Sequence, residues 1–143
     1  MHPDDLLGRL TASGRPPKDE IMKITLFSFG FKHGYPEADV VWDVRFLPNP
    51  YWVAELRSDT GLETEVAGYV LANEPGERFL ELLEPLLAFT LAEHAARGRE
   101  SLTLAMGCTG GKHRSVALVE HLRLLLTATG YCLEVYHRDI DKE

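Results

Sequence analysis

The chain has 143 residues, 45% of them apolar and 26% charged, and a formal net charge of −7 at neutral pH. This length and composition are typical of one globular domain with its own core. No apolar run approaches the roughly 20 residues that a membrane span needs. The acidic balance is also unlike that of most nucleic-acid-binding domains.

The first 22 residues predict a flexible or weakly helical leader, because Gly14, Pro16 and Pro17 interrupt regular structure there. This segment has early acids and no apolar core, which is unlike a secretory signal, so we expect a cytoplasmic protein. We place the folded domain at residues 23–143.

The hydrophobic pattern of that domain predicts strands separated by helices, which favours an α/β fold with a small, mostly parallel sheet. Pro48 and Pro50 end the second strand, and Gly98 follows the long helix. The predicted strands are 23–29, 40–46, 102–106 and 133–137. The predicted helices are 52–57, 77–97 and 115–129. Residues 63–72 fit either a helix or a strand, and a helix is favoured.

Polar side chains follow each predicted strand. In parallel sheets the carboxyl ends of the strands meet at one edge, where ligands commonly bind. The residues expected there are Lys32, His33, Asp43, Arg45, Asn49, residues 108–115, His137, Arg138 and Asp139.

One stretch, from Ser101 to Leu126, predicts a strand, a glycine-bearing loop and an apolar helix. A helix N-terminus reached through such a loop offers free backbone N–H groups and the positive end of the helix dipole. Gly110 and Gly111 allow a close backbone approach, and the loop also contains further donors at Lys112, His113 and Arg114. This combination predicts a phosphate-binding loop.

The same loop has the spacing of cysteine-dependent phosphatases. Five residues separate Cys108 from Arg114, and Ser115 follows. A thiolate could attack phosphorus while the arginine clamps the phosphoryl oxygens, and Asp39, Asp43 or Asp139 could protonate the leaving group. Lys112 and His113, however, stand where small residues are usual. A phosphate cradle whose cysteine only lines the pocket is therefore the favoured interpretation.

Other interpretations of these residues are weaker. Gly107 to His113 is one residue short of a nucleotide P-loop and has histidine in place of the magnesium-binding hydroxyl. His33, His113, His137 and Cys108 lack the close spacing of zinc ligands, so we expect no metal and no cofactor. Cys108 and Cys132 are expected at opposite edges of the sheet as free thiols. Asp43 and Arg45 either form a structural ion pair or contribute to a ligand site.

Three motifs together give a family resemblance: SFGFKHGYPEADVVWDVRFLPNPYW (28–52), GCTGGKHRSV (107–116) and HRDI (137–140). Over about residues 24–140 the chain resembles the C-terminal domain of the RapZ family. The resemblance implies a single three-layer domain like part of the phosphofructokinase fold. It also implies sensing of glucosamine-6-phosphate, binding of small regulatory RNAs, presentation of RNA to a ribonuclease, and a homo-oligomer.

The resemblance implies a sugar-phosphate pocket at the matching motif positions. These positions are His33, Asp43, Arg45, Cys108, Thr109, Gly110, Gly111, His113, Arg114, His137 and Arg138. From the loop chemistry above, Lys112 and Ser115 join this set.

The chain departs from the family pattern at both ends. A 22-residue leader stands where the family has a nucleotide-binding domain, so we do not expect nucleotide hydrolysis. The basic C-terminal tail is replaced by the acidic DIDKE, which weakens the case for RNA. We therefore expect a regulatory domain that senses a phosphorylated small molecule and acts through a partner. An RNA-binding adaptor and a Cys108-dependent phosphatase are the alternatives.

Overall fold

A computed structural model describes residues 21–143, so most of the predicted leader lies outside the described residues. Two short 3-10 helices cover Phe31–His33 and Pro50–Trp52. The longer elements follow in chain order as β1 (Lys23–Gly30), β2 (Val40–Asp43), α1 (Thr64–Leu71), α2 (Glu74–Ala96), β3 (Ser101–Cys108), α3 (Arg114–Thr127) and β4 (Cys132–His137).

The four strands form one sheet in the order β2-β3-β1-β4, and every neighbouring pair is parallel. Leu26 of β1 is in register with Leu104 of β3 and with Val135 of β4. The α/β class and the parallel sheet predicted from the sequence are thereby confirmed. The connections from β2 to β3 and from β3 to β4 run in the same direction, so right-handed crossovers put their helices on the same face.

The main core lies between that face and the helices. Along each strand every second side chain faces the main core, where these side chains pack against the apolar side of α3. The fully buried members include Ile24, Leu26, Leu104, Met106, Leu118 and Leu122. On the other face, a smaller cluster of Phe27, Phe29 and Ala105 packs against Phe31 and Ala38. In the described part of the chain, the layer that covers this second face of the sheet is therefore the irregular segment between β1 and β2.

Several boundaries differ from the sequence prediction. β2 stops at Asp43 rather than residue 46, because the backbone N–H of Arg45 donates to the Asp43 carboxylate (3.0 Å) and the chain turns. The predicted helix at 52–57 is only the 3-10 turn Pro50–Trp52. α2 begins three residues earlier than predicted, because Asn73 caps it by accepting from the N–H of Gly76 (2.8 Å).

The boundary that matters most for function is the end of β3. The strand runs to Cys108, so the cysteine is the last strand residue and the loop contains only residues 109–113. Cys108 is buried and Cys132 is exposed, and both are free thiols. They pair with opposite ends of β1, Cys108 with Gly30 and Cys132 with Lys23, as predicted. Within residues 21–143, no helix is long and apolar enough to cross a membrane.

Candidate functional site

The loop of residues 109–113 joins β3 to α3 at the carboxyl edge of the sheet. Gly111 has a φ of +77°, a conformation that favours glycine. A Cβ on Gly111 would lie 2.6 Å from the backbone nitrogen of Gly30. Gly30 itself has no room for a side chain, because the backbone of Gly110 lies directly against it. The loop therefore rests backbone to backbone on the end of β1.

Two backbone hydrogen bonds hold the loop carbonyls toward the protein. The N–H of Lys32 donates to Thr109 O (3.1 Å), and the N–H of Gly61 donates to Lys112 O (2.8 Å). Within residues 21–143, the backbone N–H groups of residues 110–114 donate to no protein acceptor. They precede a 14-residue helix whose dipole is positive at this end. This arrangement is suited to binding an anion.

Arg114 is the first residue of α3 and is only 6% exposed. Its guanidinium donates to the carbonyl oxygen of Arg45 (2.6 Å) and, at a longer distance, to the hydroxyl of Thr109 (3.4 Å). Its Nε is buried and has no hydrogen-bond partner among the described residues. Arg114 thus links the loop to the chain after β2 and still holds an unused donor.

Cys108 lies at the base of the loop and is 2% exposed. Its Sγ is 3.1 Å from the hydroxyl oxygen of Ser115, and the Ser115 N–H points to the same sulfur at 3.4 Å. Ser115 is itself fully buried. The thiol is therefore held by the first turn of α3 beneath the loop.

A cavity of about 560 Å³ opens beside this loop. Six of the predicted site residues line it, together with residues from the segment that follows β2. The lining residues are Lys32, Asn49, Tyr51, Trp52, Arg57, Cys108, Thr109, Gly110, Lys112, His113, Arg114 and Glu143. Its size is in the range of small-molecule sites.

The segment after β2 forms the rim of this cavity, and the sequence reasoning largely missed it. The Asn49 side chain accepts from the N–H of Tyr51 (3.1 Å), and Arg57 Nε donates to Tyr51 O (2.6 Å). His113 Nε2 lies 3.1 Å from Arg57 O, so the rim is attached to the loop. The sequence alone gives Tyr51 and Trp52 no role beyond core or pocket wall, and it gives Arg57 no signal for a ligand site.

Asp43 and Arg45 form a bidentate ion pair, with Nε–Oδ1 at 2.9 Å and Nη2–Oδ2 at 2.6 Å. The hydrogen bond from Arg45 lowers the pKa of Asp43, and the same pair raises the pKa of Arg45. The Arg45 guanidinium also lies 4.2 Å from the centre of the Phe31 ring. Neither residue lines the cavity, and nor does His33, whose Nε2 is buried without a partner among residues 21–143.

His137 and Arg138 follow the same edge but do not line the cavity. The imidazole of His137 lies between the Ser28 hydroxyl (2.7 Å) and the Glu120 carboxylate (2.7 Å), beneath α3. Burial raises the pKa of Glu120, but hydrogen bonds from Arg123 and His137 outweigh it and leave the pKa lowered.

Arg138 donates to the carbonyl of Gly34 (2.7 Å) and pairs with Asp139 (2.8 Å). Asp139 is fully buried and accepts from the N–H of Gly30 (2.7 Å) and from Lys142 (2.7 Å). Burial raises its pKa, but these donors outweigh burial and hold the pKa at about 2. Asp139 therefore fastens the end of β4 to the end of β1, directly beneath the loop.

No group of three or more His, Cys, Asp or Glu side chains suited to a metal ion occurs in the described part of the chain. The candidate site is instead a cationic loop, a cavity and an aromatic rim.

The motifs that build this loop and rim are also the ones that identify the chain. The family model of the RapZ C-terminal domain matches residues 22–141, which include every strand and helix described above. The chain belongs to the RapZ C-terminal domain family.

Several relatives bear the name nucleotide-binding protein. A nucleotide-binding protein of Cutibacterium acnes is 49% identical over 126 residues, covering 87% of this chain and 43% of the relative. One from Oceanobacillus iheyensis is 43% identical over 143 residues, or 99% of this chain and 48% of the relative. One from Saccharopolyspora erythraea is 50% identical over 123 residues. The chain thus spans less than half the length of these relatives.

Proposed function

We propose that this RapZ C-terminal domain is a regulatory sensor that binds a phosphorylated small molecule at residues 109–114. The observation that carries the proposal is the set of backbone N–H groups of residues 110–114, which have no acceptor among residues 21–143. A phosphate group can accept several such hydrogen bonds at once, with the helix dipole in its favour.

Side chains around the loop support a dianionic ligand. Lys32, Lys112 and Arg57 line the cavity, and the buried guanidinium of Arg114 borders it. Charge-assisted hydrogen bonds of this kind are about twice as strong as neutral ones. The site is therefore suited to a phosphomonoester rather than to a neutral sugar.

We assign the ligand to hexose phosphates of the glucosamine-6-phosphate kind. A cavity of about 560 Å³ has room for a sugar ring beside its phosphate. The family resemblance at residues 107–116 points to the same class of ligand. A partner, either another region of a longer protein or a separate chain, would respond to the binding of the ligand. In the relatives more than half of the chain lies outside this domain, and such a region is the natural candidate for that partner.

An RNA-binding adaptor is the second candidate. Exposed aromatic side chains beside cations, here Tyr51 and Trp52 with Lys32 and Lys112, also suit unstacked bases of single-stranded RNA. The net charge of −7 opposes it, because RNA affinity depends on neutralising phosphates.

The test is isothermal titration of the wild-type chain with inorganic phosphate, glucosamine-6-phosphate, glucosamine, ATP and a short single-stranded RNA. We expect glucosamine-6-phosphate to bind and glucosamine to fail. Lys112→Ala should weaken that binding, whereas Lys23→Ala, at the opposite edge of the sheet, should not. Binding of RNA alone, with a steep salt dependence, would favour the adaptor. The absence of any binding at millimolar concentration would refute the sensor.

A further inference from the structure

The cavity rim contains a large aromatic surface that residues 21–143 leave exposed. Trp52 lines the cavity, yet 75% of its surface is exposed, and the neighbouring Tyr51 is 50% exposed. A contiguous exposed aromatic surface of this kind often marks a site where a ligand or partner binds. The position of this tryptophan, at the mouth of an anion-binding cavity, makes a ligand of that cavity the natural cover.

Backbone and side-chain contacts anchor this aromatic surface. Trp52 lies in the 3-10 turn that Asn49 caps, and its ring meets the ring of Tyr51 edge to face, with centroids 5.2 Å apart. The Arg57 guanidinium lies 5.0 Å from the centre of the Tyr51 ring and donates to Tyr51 O.

The same contacts attach the rim to the anion loop. The carbonyl oxygen of Arg57 lies 3.1 Å from Nε2 of His113, the residue that immediately precedes α3. A rigid aromatic surface at a fixed position relative to a phosphate site costs little ordering when a ligand binds.

From this geometry we infer that Trp52 stacks against the ring of the bound molecule while residues 109–114 hold its phosphate; the inference rests on the proposed function. The indole face attracts the C–H face of a pyranose or the face of a nucleobase, and neither needs a hydrogen bond to it. The site would therefore select phosphorylated molecules that carry a ring over acyclic phosphates. Trp52 is a specificity-determining residue in this scheme.

The experiment compares four ligands by isothermal titration: inorganic phosphate, glycerol 3-phosphate, glucosamine-6-phosphate and AMP. We expect Trp52→Ala to weaken the affinity for the ring-bearing ligand by about tenfold, which is the loss expected for one aromatic stacking contact. Its effect on phosphate and glycerol 3-phosphate should be less than about twofold. Trp52→Phe should restore most of the lost affinity. The comparison of glucosamine-6-phosphate with AMP decides whether the ring is a sugar or a base.

A second readout reports on Trp52 itself. The other tryptophan, Trp42, is half-buried against Phe79, so Trp42→Phe leaves Trp52 as the single indole fluorophore. A saturable fluorescence change with the ring-bearing phosphate, and none with glycerol 3-phosphate, supports stacking.

Each remaining outcome overturns the inference. Equal losses for all four ligands in Trp52→Ala would mean that Trp52 only supports the phosphate loop. If Trp52→Ala left the affinity for glucosamine-6-phosphate and AMP unchanged, the ring of the ligand would not contact Trp52. In both cases the proposed function stands, because phosphate still binds. Failure of the wild-type chain to bind any of the four phosphates removes both proposals together.

Discussion

The guanidinium of Arg114 donates a hydrogen bond of 2.6 Å to the backbone carbonyl oxygen of Arg45. This bond joins the first residue of α3 to the chain just after β2, beside the loop of residues 109–113. It gives Arg114 a structural task besides the anion binding proposed above, because removing the side chain also takes this donor from the carbonyl oxygens of Arg45 and Leu47.

Arg114→Ala is accordingly predicted to weaken both ligand binding and the fold. We expect a loss of about 1.5–3 kcal/mol in phosphate affinity, through lost charge-assisted hydrogen bonds. We also expect the free energy of unfolding to fall by about 1–3 kcal/mol. Titration calorimetry well below the melting temperature measures the first quantity, and urea unfolding measures the second.

Arg123→Ala is the matched control, because Arg123 lies on the same helix and pairs at the surface with Glu120. It should change stability by less than about 1 kcal/mol and leave anion affinity unaltered. If Arg114→Ala keeps full anion affinity, the guanidinium has only its structural task.

The two adjacent loop glycines are predicted to tolerate substitution very differently. Gly111→Ala should lower the free energy of unfolding by about 2 kcal/mol or more, because φ is +77° and the new Cβ would meet the backbone of Gly30. Gly110→Ala is the control. Its Cβ would find only the Lys32 side chain, at 3.9 Å, so stability should change by less than about 0.5 kcal/mol. Equal melting temperatures for the two variants would contradict the described loop conformation.

Asp139 is predicted to give the fold a specific sensitivity to acid. Its folded-state pKa of about 2 lies below the ordinary value of 3.8, so its contribution to stability is present above pH 4 and is lost between about pH 4 and pH 2. The pKa difference corresponds to about 2 kcal/mol. Asp139→Asn should therefore lower the free energy of unfolding by about that amount at pH 7 and flatten its dependence on pH below 4.

Asp141→Asn supplies the comparison, since Asp141 is exposed two residues further along. Its urea-unfolding curves should follow those of the wild-type chain at pH 7 and at pH 3. If the free energy of unfolding of the wild-type chain does not change between pH 4 and pH 2.5, the Asp139 contacts contribute less stability than predicted.

Cys108→Ser separates a sensor from a phosphatase. The thiol is buried against Ser115, and we expect it to shape the base of the loop rather than to attack phosphorus. The variant should bind phosphate within about twofold of the wild-type affinity. Hydrolysis of an aryl phosphate by the wild-type chain, lost in Cys108→Ser and retained in Ser28→Ala, would instead establish cysteine-dependent catalysis.

Much of the fold was readable from the sequence because its strands and helices have strong apolar periodicity. The strand–loop–helix unit at residues 101–127 was predicted to within two residues at every boundary. The end of β2 was not, because one carboxylate, that of Asp43, captures a backbone N–H and turns the chain. Local polar contacts of this kind leave no trace in hydrophobic periodicity.

The candidate site was predicted in part for the same reason. The parallel direction of the strands alone brings Lys32 and residues 108–114 to one edge, and all of these except Gly111 line the cavity. The direction of a side chain beyond a strand end depends on tertiary partners. His137 turns beneath α3 because the Glu120 carboxylate accepts a hydrogen bond from its imidazole and the Ser28 hydroxyl makes a second one. Arg57 enters the cavity rim because its guanidinium donates to the carbonyl oxygen of Tyr51. These hydrogen-bond partners cannot be deduced from the spacing of residues along the sequence.

The close contact between Gly30 and Gly110 divides the site into a part that can vary and a part that cannot. At this contact no side chain separates the strand from the loop, so the loop cannot move inward to fit a larger group. Adjustment to a different ligand therefore falls on residues 49–57, where Leu56 is fixed in the core while Tyr51 and Trp52 are exposed at the rim. A change of ligand preference is expected to arise from substitutions in these nine residues, while the loop itself stays unchanged.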